Sequence, residues 1–184
     1  MTSTPNISVF IATSLDGFIA RPDGSIDWLT HSDYQIDGED FGYQSFMNSV
    51  DMIIMGRNTY ETVLGFGGEW PYRGKRMLIL SSRQLAIPSA LAHEVEATQL
   101  PPAELVAQLA ERGVRQVYLD GGRTIQGFLA AGLVHELTIT RIPVLLGEGI
   151  PLFGATGHDI ALHHTETRAF PNGFVQSRYT VKTT

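Results

Sequence analysis

The stretch DMIIMGRNTYE, Asp51 to Glu61, decides how the rest of the chain is read. Four apolar residues, Met52 to Met55, have the continuous pattern of a short strand buried on both faces. Gly56 follows, where a Cβ would crowd a close turn. Arg57, Asn58 and Thr59 then lead into Tyr60, Glu61 and Thr62 as the first turn of a helix. A strand passing through glycine into a helix points unpaired backbone N–H groups and a positive dipole end at one place. Arg57 adds a planar fork of donors that suits phosphate. On these residues alone, two readings stand: an anion pocket at the carboxyl end of a strand, or an ordinary strand–helix connection with a surface arginine.

Composition narrows the class. The 184 residues suit a single domain, residues 1–184, with a substantial core. Hydrophobic residues make up 43% and charged ones only 17%, which fits a compact monomer or a subunit that hides surface in a dimer. The net charge of −6, with no Lys/Arg-rich run, argues against a nucleic-acid partner. With no cysteine there can be no disulfide, thiolate catalysis or cysteine zinc site. No apolar run reaches membrane-spanning length, and MTSTPNISVF lacks the blocks of a signal peptide, so a cytoplasmic protein is expected.

Taken in order, Ile7 to Thr13 reads as a first, central strand. Ser14 to Leu29 (SLDGFIARPDGSIDWL) is a loop broken by Gly17, Pro22 and Gly24 yet carrying Phe18, Ile19, Ile26, Trp28 and Leu29. Such a loop is either a functional lid or a plug for one end of the core. Its acids, Asp16, Asp23 and Asp27, raise the question of calcium. In an EF-hand register Trp28 would take the glycine position and Tyr34 the closing Glu position, which rules that motif out. A helix is expected from Asp37 or Gly38 to Ser49, with Tyr43, Phe46, Met47 and Val50 as its buried stripe. Asp40 would then lie on that stripe, either as a site residue or, with Glu39, as a partner for the helix dipole.

Gly65 to Gly74 (GFGGEWPYRG) is a Gly/Pro/aromatic loop. Met77 to Leu80 is a strand ending in Ser81, Ser82 and Arg83, again a phosphate-like set or a polar strand exit. Val95 to Thr98 is a short strand, and PPAELVAQLAERG is a helix with proline at its start and Gly113 at its end. Val117 to Leu119 is a strand, Gly121 and Gly122 a tight turn, and Thr124 to Ala131 a helix. Arg123 and Thr124 sit where that helix would meet a pyrophosphate. No GxGxxG or GxxxxGK[ST] occurs. Glu136 to Val144 is a strand, LLGEGIPLF a Gly-rich turn, and Ile160–Thr167 pairs with Phe174–Val181 as a hairpin around Pro171 to Gly173. His163 and His164 point to opposite faces of their strand, so no metal site is expected.

In this order and at these separations, MGRNTYE, LILSSR and DGG before a helix resemble the dihydrofolate reductase superfamily. SLDGFIA and LLGEGIPLF resemble more closely the reductase domain of the bifunctional riboflavin-biosynthesis deaminase–reductase and its stand-alone bacterial relatives. The resemblance covers Ile7 to about Val181. It implies an α/β, three-layer dihydrofolate reductase-like fold: a mostly parallel, twisted central sheet with flanking helices and a C-terminal antiparallel hairpin.

By the same resemblance, Arg57, Thr59, Ser81, Ser82 and Arg83 match the positions holding the adenosine 2′-phosphate, so the implied cofactor is NADPH. Gly56 and Gly121 to Thr124 match the backbone turns around the dinucleotide, and Ala12 and Ile19 positions near the nicotinamide. Trp28 matches the lid tryptophan beside the substrate, with Tyr43 and Asp16 on the substrate side. Asp40, sixteen residues before Gly56, matches the acid that binds the pterin ring. Gln44 replaces the family's ligand-packing aromatic, and Lys75 replaces the arginine that grips folate's glutamate. The Gly65 loop is longer than in dedicated folate enzymes. The cysteine-bearing zinc element of the deaminase half has no counterpart in these residues. What the resemblance implies is an NADPH-dependent, homodimeric reductase acting on a C=N or C=O bond of a pterin-like or ribosylaminopyrimidine-like small molecule. Dihydrofolate reductase activity and non-catalytic NADPH binding remain the alternatives.

Overall fold

Met52, Ile53, Ile54 and Met55 are all buried because the strand they form is covered on both sides. In the computed structural model, which describes residues 3–182, that strand is β3 (Met52–Gly56). Its side chains alternate between two cores. Met52 and Ile54 pack with Leu105, Leu109, Ile125 and Phe128 on one face. Ile53 and Met55 pack with Met47, Tyr60 and Met77 on the other. Burying each such side chain stabilises the fold by roughly 1.5–3 kcal/mol, so a strand apolar at every position is pinned in the middle layer.

The other strands are β1 (Asn6–Ser14), β2 (Phe18–Ala20), β4 (Arg76–Leu80), β5 (Val95–Thr98), β6 (Gln116–Asp120), β7 (Glu136–Ile142), β8 (Ile150–Pro151), β9 (Leu162–Ala169) and β10 (Val175–Val181). Four helices join them: α1 (Tyr43–Ser49), α2 (Arg57–Gly65), α3 (Pro102–Glu111) and α4 (Gly122–Ala130). The main sheet has eight strands in the order β5-β4-β3-β6-β1-β7-β10-β9. All neighbours are parallel as far as β7. β10 and β9 are antiparallel, closed by the turn at Pro171 to Gly173. Helices α3 and α4 supply one outer layer, and α1 and α2 the other.

The strand order reverses between β3 and β6. From β3 the chain builds outward through β4 to β5; it then returns to β6 and builds the opposite way. The two helices leaving β3 and β6 therefore diverge to opposite faces, opening a crevice at the carboxyl ends of these neighbours.

Two expectations need correction. The helix expected from Asp37 or Gly38 begins only at Tyr43. Gly38, Phe41 and Gly42 have φ of 76°, 57° and 83°, which no right-handed helix accommodates. Phe41 is held there by ring contacts with Phe170 and Phe174, at 4.9 and 5.1 Å. Gln176 Nε2 also donates to its carbonyl at 3.0 Å. Asp40 therefore precedes the helix instead of lying on its stripe.

The Ser14–Leu29 segment is likewise not a bare loop. It contains β2, which pairs with β8 in a second, two-stranded sheet. Arg21 clamps Asp27 with two bonds of 2.6 and 2.9 Å, and Asp23 accepts from the Ser25 amide at 2.9 Å. The pairing was illegible in sequence because β8 is two residues long and ends in a proline.

Gly149 makes this clasp possible: a Cβ there would meet the Ala20 carbonyl oxygen and the Phe18 side chain. Gly149→Ala is expected to lower stability by about 1–3 kcal/mol, read as a reduced urea midpoint with unchanged m. A midpoint equal to wild type would show that the clasp yields freely.

Candidate functional site

Gly56 ends β3 and Gly121 directly follows the adjacent β6, and both are pressed against the opposite helix start. A Cβ on Gly56 would lie 2.8 Å from Thr124 Oγ1; one on Gly121 would lie 2.5 Å from Thr59 Oγ1. Gly121 also has φ of +91°, a conformation that L side chains rarely adopt. Gly122 packs somewhat less closely under the clasp, where a Cβ would come 3.2 Å from Ile19 Cδ1 and 3.0 Å from the Pro151 carbonyl oxygen. Gly56, Thr59, Gly121, Gly122, Thr124 and Ile19 are thus brought to one place.

Neither α2 nor α4 has a side-chain cap at its N-terminus. Two nine-residue helices therefore turn uncapped amide groups towards the same crevice. Arg57, on the first turn of α2, is partly exposed and lies 3.6 Å from Glu61. Arg83 and Arg123 are exposed at the ends of β4 and the start of α4. Ser82 is exposed beside Arg83. Ser81 is not free: its hydroxyl donates to the Arg83 carbonyl at 2.7 Å and accepts the Arg83 amide at 3.2 Å, shaping the turn.

A cavity of about 600 Å³ opens against β1 and β7, lined in part by Phe10, Ala12, Asp40, Tyr43, Thr140 and Phe174. Asp40 is exposed at its rim. Its carboxylate accepts the Gly42 and Gln44 amides at 2.9 and 2.8 Å. Those amide bonds, Gln44 first, hold its pKa below the usual carboxylate value.

Trp28 does not line the cavity. It is buried behind it with Ile142, Phe170 and Phe174, and its Nε1 finds no hydrogen-bond partner. The aromatic cluster outcompetes the cavity for its large apolar surface. Asp16 is also elsewhere. Its carboxylate takes the Ser14 hydroxyl at 2.6 Å and the Leu146 and Gly147 amides at 3.2 and 2.8 Å, pinning the turn before β8.

The sequence reading passed over Asp120, the residue before the glycine pair. It ends β6 on the face of Tyr43, Tyr72 and Tyr118 and accepts only the Gly121 amide, at 2.8 Å. It has no cationic partner among the described residues. Burial raises its pKa to about 6, partly offset by that amide. Its charge in turn contributes to the raised pKa of Tyr43, which burial first pushes to about 12. The signal available was an acid at a strand's carboxyl end, immediately before the glycine pair. Among the described residues no group of three His, Cys, Asp or Glu side chains could share a metal ion. No helix there is long and apolar enough to cross a membrane.

Residues 5–176 match the family described as the RibD C-terminal domain. The chain belongs to that family. It is 34% identical over 165 residues to the uncharacterized protein YwjB of Bacillus subtilis, covering 88% of this chain and 90% of that one. A Shewanella sp. PV-4 structure named for riboflavin biosynthesis superposes with a TM-score of 0.91 at 38% identity, over 97% of this chain and 99% of the other. A Thermotoga maritima diaminohydroxyphosphoribosylaminopyrimidine deaminase/5-amino-6-(5-phosphoribosylamino)uracil reductase shares the fold, with a TM-score of 0.73 at 15% identity. The match covers 97% of this chain but only 57% of that two-activity protein. The RibD C-terminal domain family thus has here the dihydrofolate reductase-like α/β architecture, with its crevice at the β3/β6 switch.

Asp120 generates a pH prediction. Because its folded pKa lies above its unfolded value near 3.8, the folded state holds the proton more tightly. Stability should therefore fall as pH rises from about 4 to about 6, by up to roughly 3 kcal/mol. Asp120→Asn should remove that component. Urea titrations of both proteins across this range check it, and equal slopes would contradict the assigned burial.

Proposed function

We propose that this protein is an NADPH-dependent reductase of a compact pterin-like or ribosylaminopyrimidine-like substrate. The observation that carries the reading is the convergence of two uncapped helix N-termini on glycines that admit no Cβ. Such an arrangement would suit a pyrophosphate approached by bare backbone. Around it, Gly56, Gly121, Gly122, Arg123 and Thr124 would hold the pyrophosphate. Arg57, Thr59, Ser82 and Arg83 would take the 2′-phosphate, with Ser81 shaping their turn. Ala12 and Ile19 would border the nicotinamide. Bound there, NADPH supplies hydride to a C=N or C=O carbon.

The chain's own contribution is a pair of carboxylates whose environments push their pKa values apart. Asp40, kept ionised by two backbone amides, is suited to accept N–H bonds from an amidine-like ring edge and so orient it. Asp120, whose pKa is raised to about 6, does not itself line the cavity; behind Tyr43, which does, it is suited to hold a proton and relay it to the nitrogen or oxygen of the bond being reduced. Tyr43 lies on the cavity wall and senses the Asp120 charge. Trp28 and Asp16 act behind the site, one supporting the cavity wall and the other the clasp.

The names of the relatives support a riboflavin-pathway substrate. A cytoplasmic homodimer completes the reading. β9 is the exposed outer edge of the sheet, with all eight residues accessible, and gives a second copy a strand to pair with. Sedimentation equilibrium should give twice the chain mass of 20.2 kDa; a monomer at micromolar concentration would remove this element.

The decisive test is titration with NADPH and NADH. Wild type should prefer NADPH. Arg57→Ala and Arg83→Ala should each weaken NADPH by about 1.5–3 kcal/mol, roughly 10- to 150-fold, and leave NADH within about threefold. Equal losses for both cofactors would sink the assignment. Once a substrate is in hand, the rate should decline as pH rises above about 6. Asp120→Asn should be slower by about 100-fold or more and lack that limb.

A further inference from the structure

The cavity of about 600 Å³ has a wall of rings and a rim of acids. Phe10 of β1 and Phe174 both line it, and so does Tyr34, whose ring meets that of Phe174 at 5.3 Å. Apolar rings of this kind suit the faces of a flat heterocycle. The rim is the segment Ile36 to Phe41, from which Asp37, Glu39 and Asp40 all line the cavity. None of the three forms an ion pair with a described residue.

No Lys, Arg or His is among the described residues that line the cavity. Cations of neighbouring segments point or bind elsewhere. His31 lies 3.4 Å from Asp33, and Arg168 lies over the Phe170 ring at 5.0 Å. Arg141 follows Thr140 in β7 and so points to the other face of the sheet. Lys75, which replaces the arginine that grips folate's glutamate, donates its ammonium to the Val50 carbonyl at 2.7 Å. The rim is also held in place. Glu39 accepts the Phe41 amide at 2.7 Å, Asp40 accepts the Gly42 and Gln44 amides, and Asn172 Nδ2 donates to the Tyr34 carbonyl at 2.7 Å. An anion entering the cavity would therefore meet three carboxylates and no countercharge, on a protein whose net charge is already −6.

We propose that this cavity selects an unphosphorylated, amino-substituted ring, neutral or cationic, and repels substrates that carry a phosphate ester. The inference rests on the reductase reading and narrows its substrate class. The amino groups of such a ring donate to the rim carboxylates, whereas a phosphomonoester brings about −1.5 to −2 charges to the same rim at pH 7. Like charges brought together without a cation oppose binding, and salt at 0.1 M screens them beyond about 10 Å. The 5-amino-6-(5-phosphoribosylamino)uracil in the name of the Thermotoga maritima relative carries such a phosphate, and the same molecule without it is the better ligand here.

The test compares the binding of these two compounds by calorimetry, with NADPH titrated separately. Wild type should bind the unphosphorylated compound about tenfold or more tightly, and raising the salt from about 20 to about 500 mM should narrow that gap. The double substitution Asp37→Asn/Glu39→Gln should tighten the phosphorylated compound by about fivefold and leave the other within about threefold. Asp37→Lys, at an exposed position, should act in the same direction. Equal affinity of wild type for the two compounds, or a preference that neither salt nor these substitutions alter, would overturn the proposal. Wild type that binds NADPH but neither compound would overturn it while leaving the cofactor reading intact. Wild type that binds no NADPH yet still distinguishes the two compounds would break the reductase reading and leave the charge selection standing. Binding of none of the three would remove both.

Discussion

The structure depends on how closely two neighbouring strands can deliver their helices to one point. At the carboxyl ends of β3 and β6, each glycine lies against a threonine hydroxyl from the opposite helix, Gly56 against Thr124 and Gly121 against Thr59. A methyl group at either place would push the helix starts apart. Because the strands are adjacent and their helices leave to opposite faces, the two macrodipoles and their open amides act on a common volume. The clasp of β2 and β8 extends this constraint by seating Ile19 and Pro151 on Gly122.

Around that point two carboxyl groups meet different electrostatic environments. Asp40 lies on an exposed loop whose backbone amides favour the ionised carboxylate. Asp120 lies at the inner end of a buried strand, where one amide bond does not compensate for lost hydration. Neither carboxylate has an ion-pair partner among the described residues, so backbone geometry and burial set their difference. The strained turn at Phe41 holds the Asp40 loop against the cavity. It persists because Phe170, Phe174 and Gln176 of the C-terminal hairpin over-determine it.

Much of this was legible in the residues, and the parts that were not share a cause. Continuous apolar runs such as Met52 to Met55 identified central strands, since only a doubly covered strand is apolar at every position. The PNG turn marked the hairpin, and the Gly pair after Leu119 marked a close backbone approach. Asp40 was misplaced by one structural level. The stripe from Tyr43 to Val50 is real, but three left-handed residues upstream stop the helix, and one of them, Phe41, is held by rings more than a hundred residues away. Trp28 was drawn behind the cavity by an aromatic cluster assembled from distant segments. Asp120 escaped notice because its perturbation comes from surrounding mass, which has no local sequence signature.

By itself, the sequence determined the buried strands, the hairpin and the positions where backbone must come close, because these follow from local periodicity and from glycine's missing side chain; the parallel, three-layer order followed from the resemblance that its motifs carry. Only the tertiary structure decided which loops clasp each other, where α1 begins and which carboxyl group is raised. Those properties are sums over neighbours from remote parts of the chain, and no short window of residues contains them.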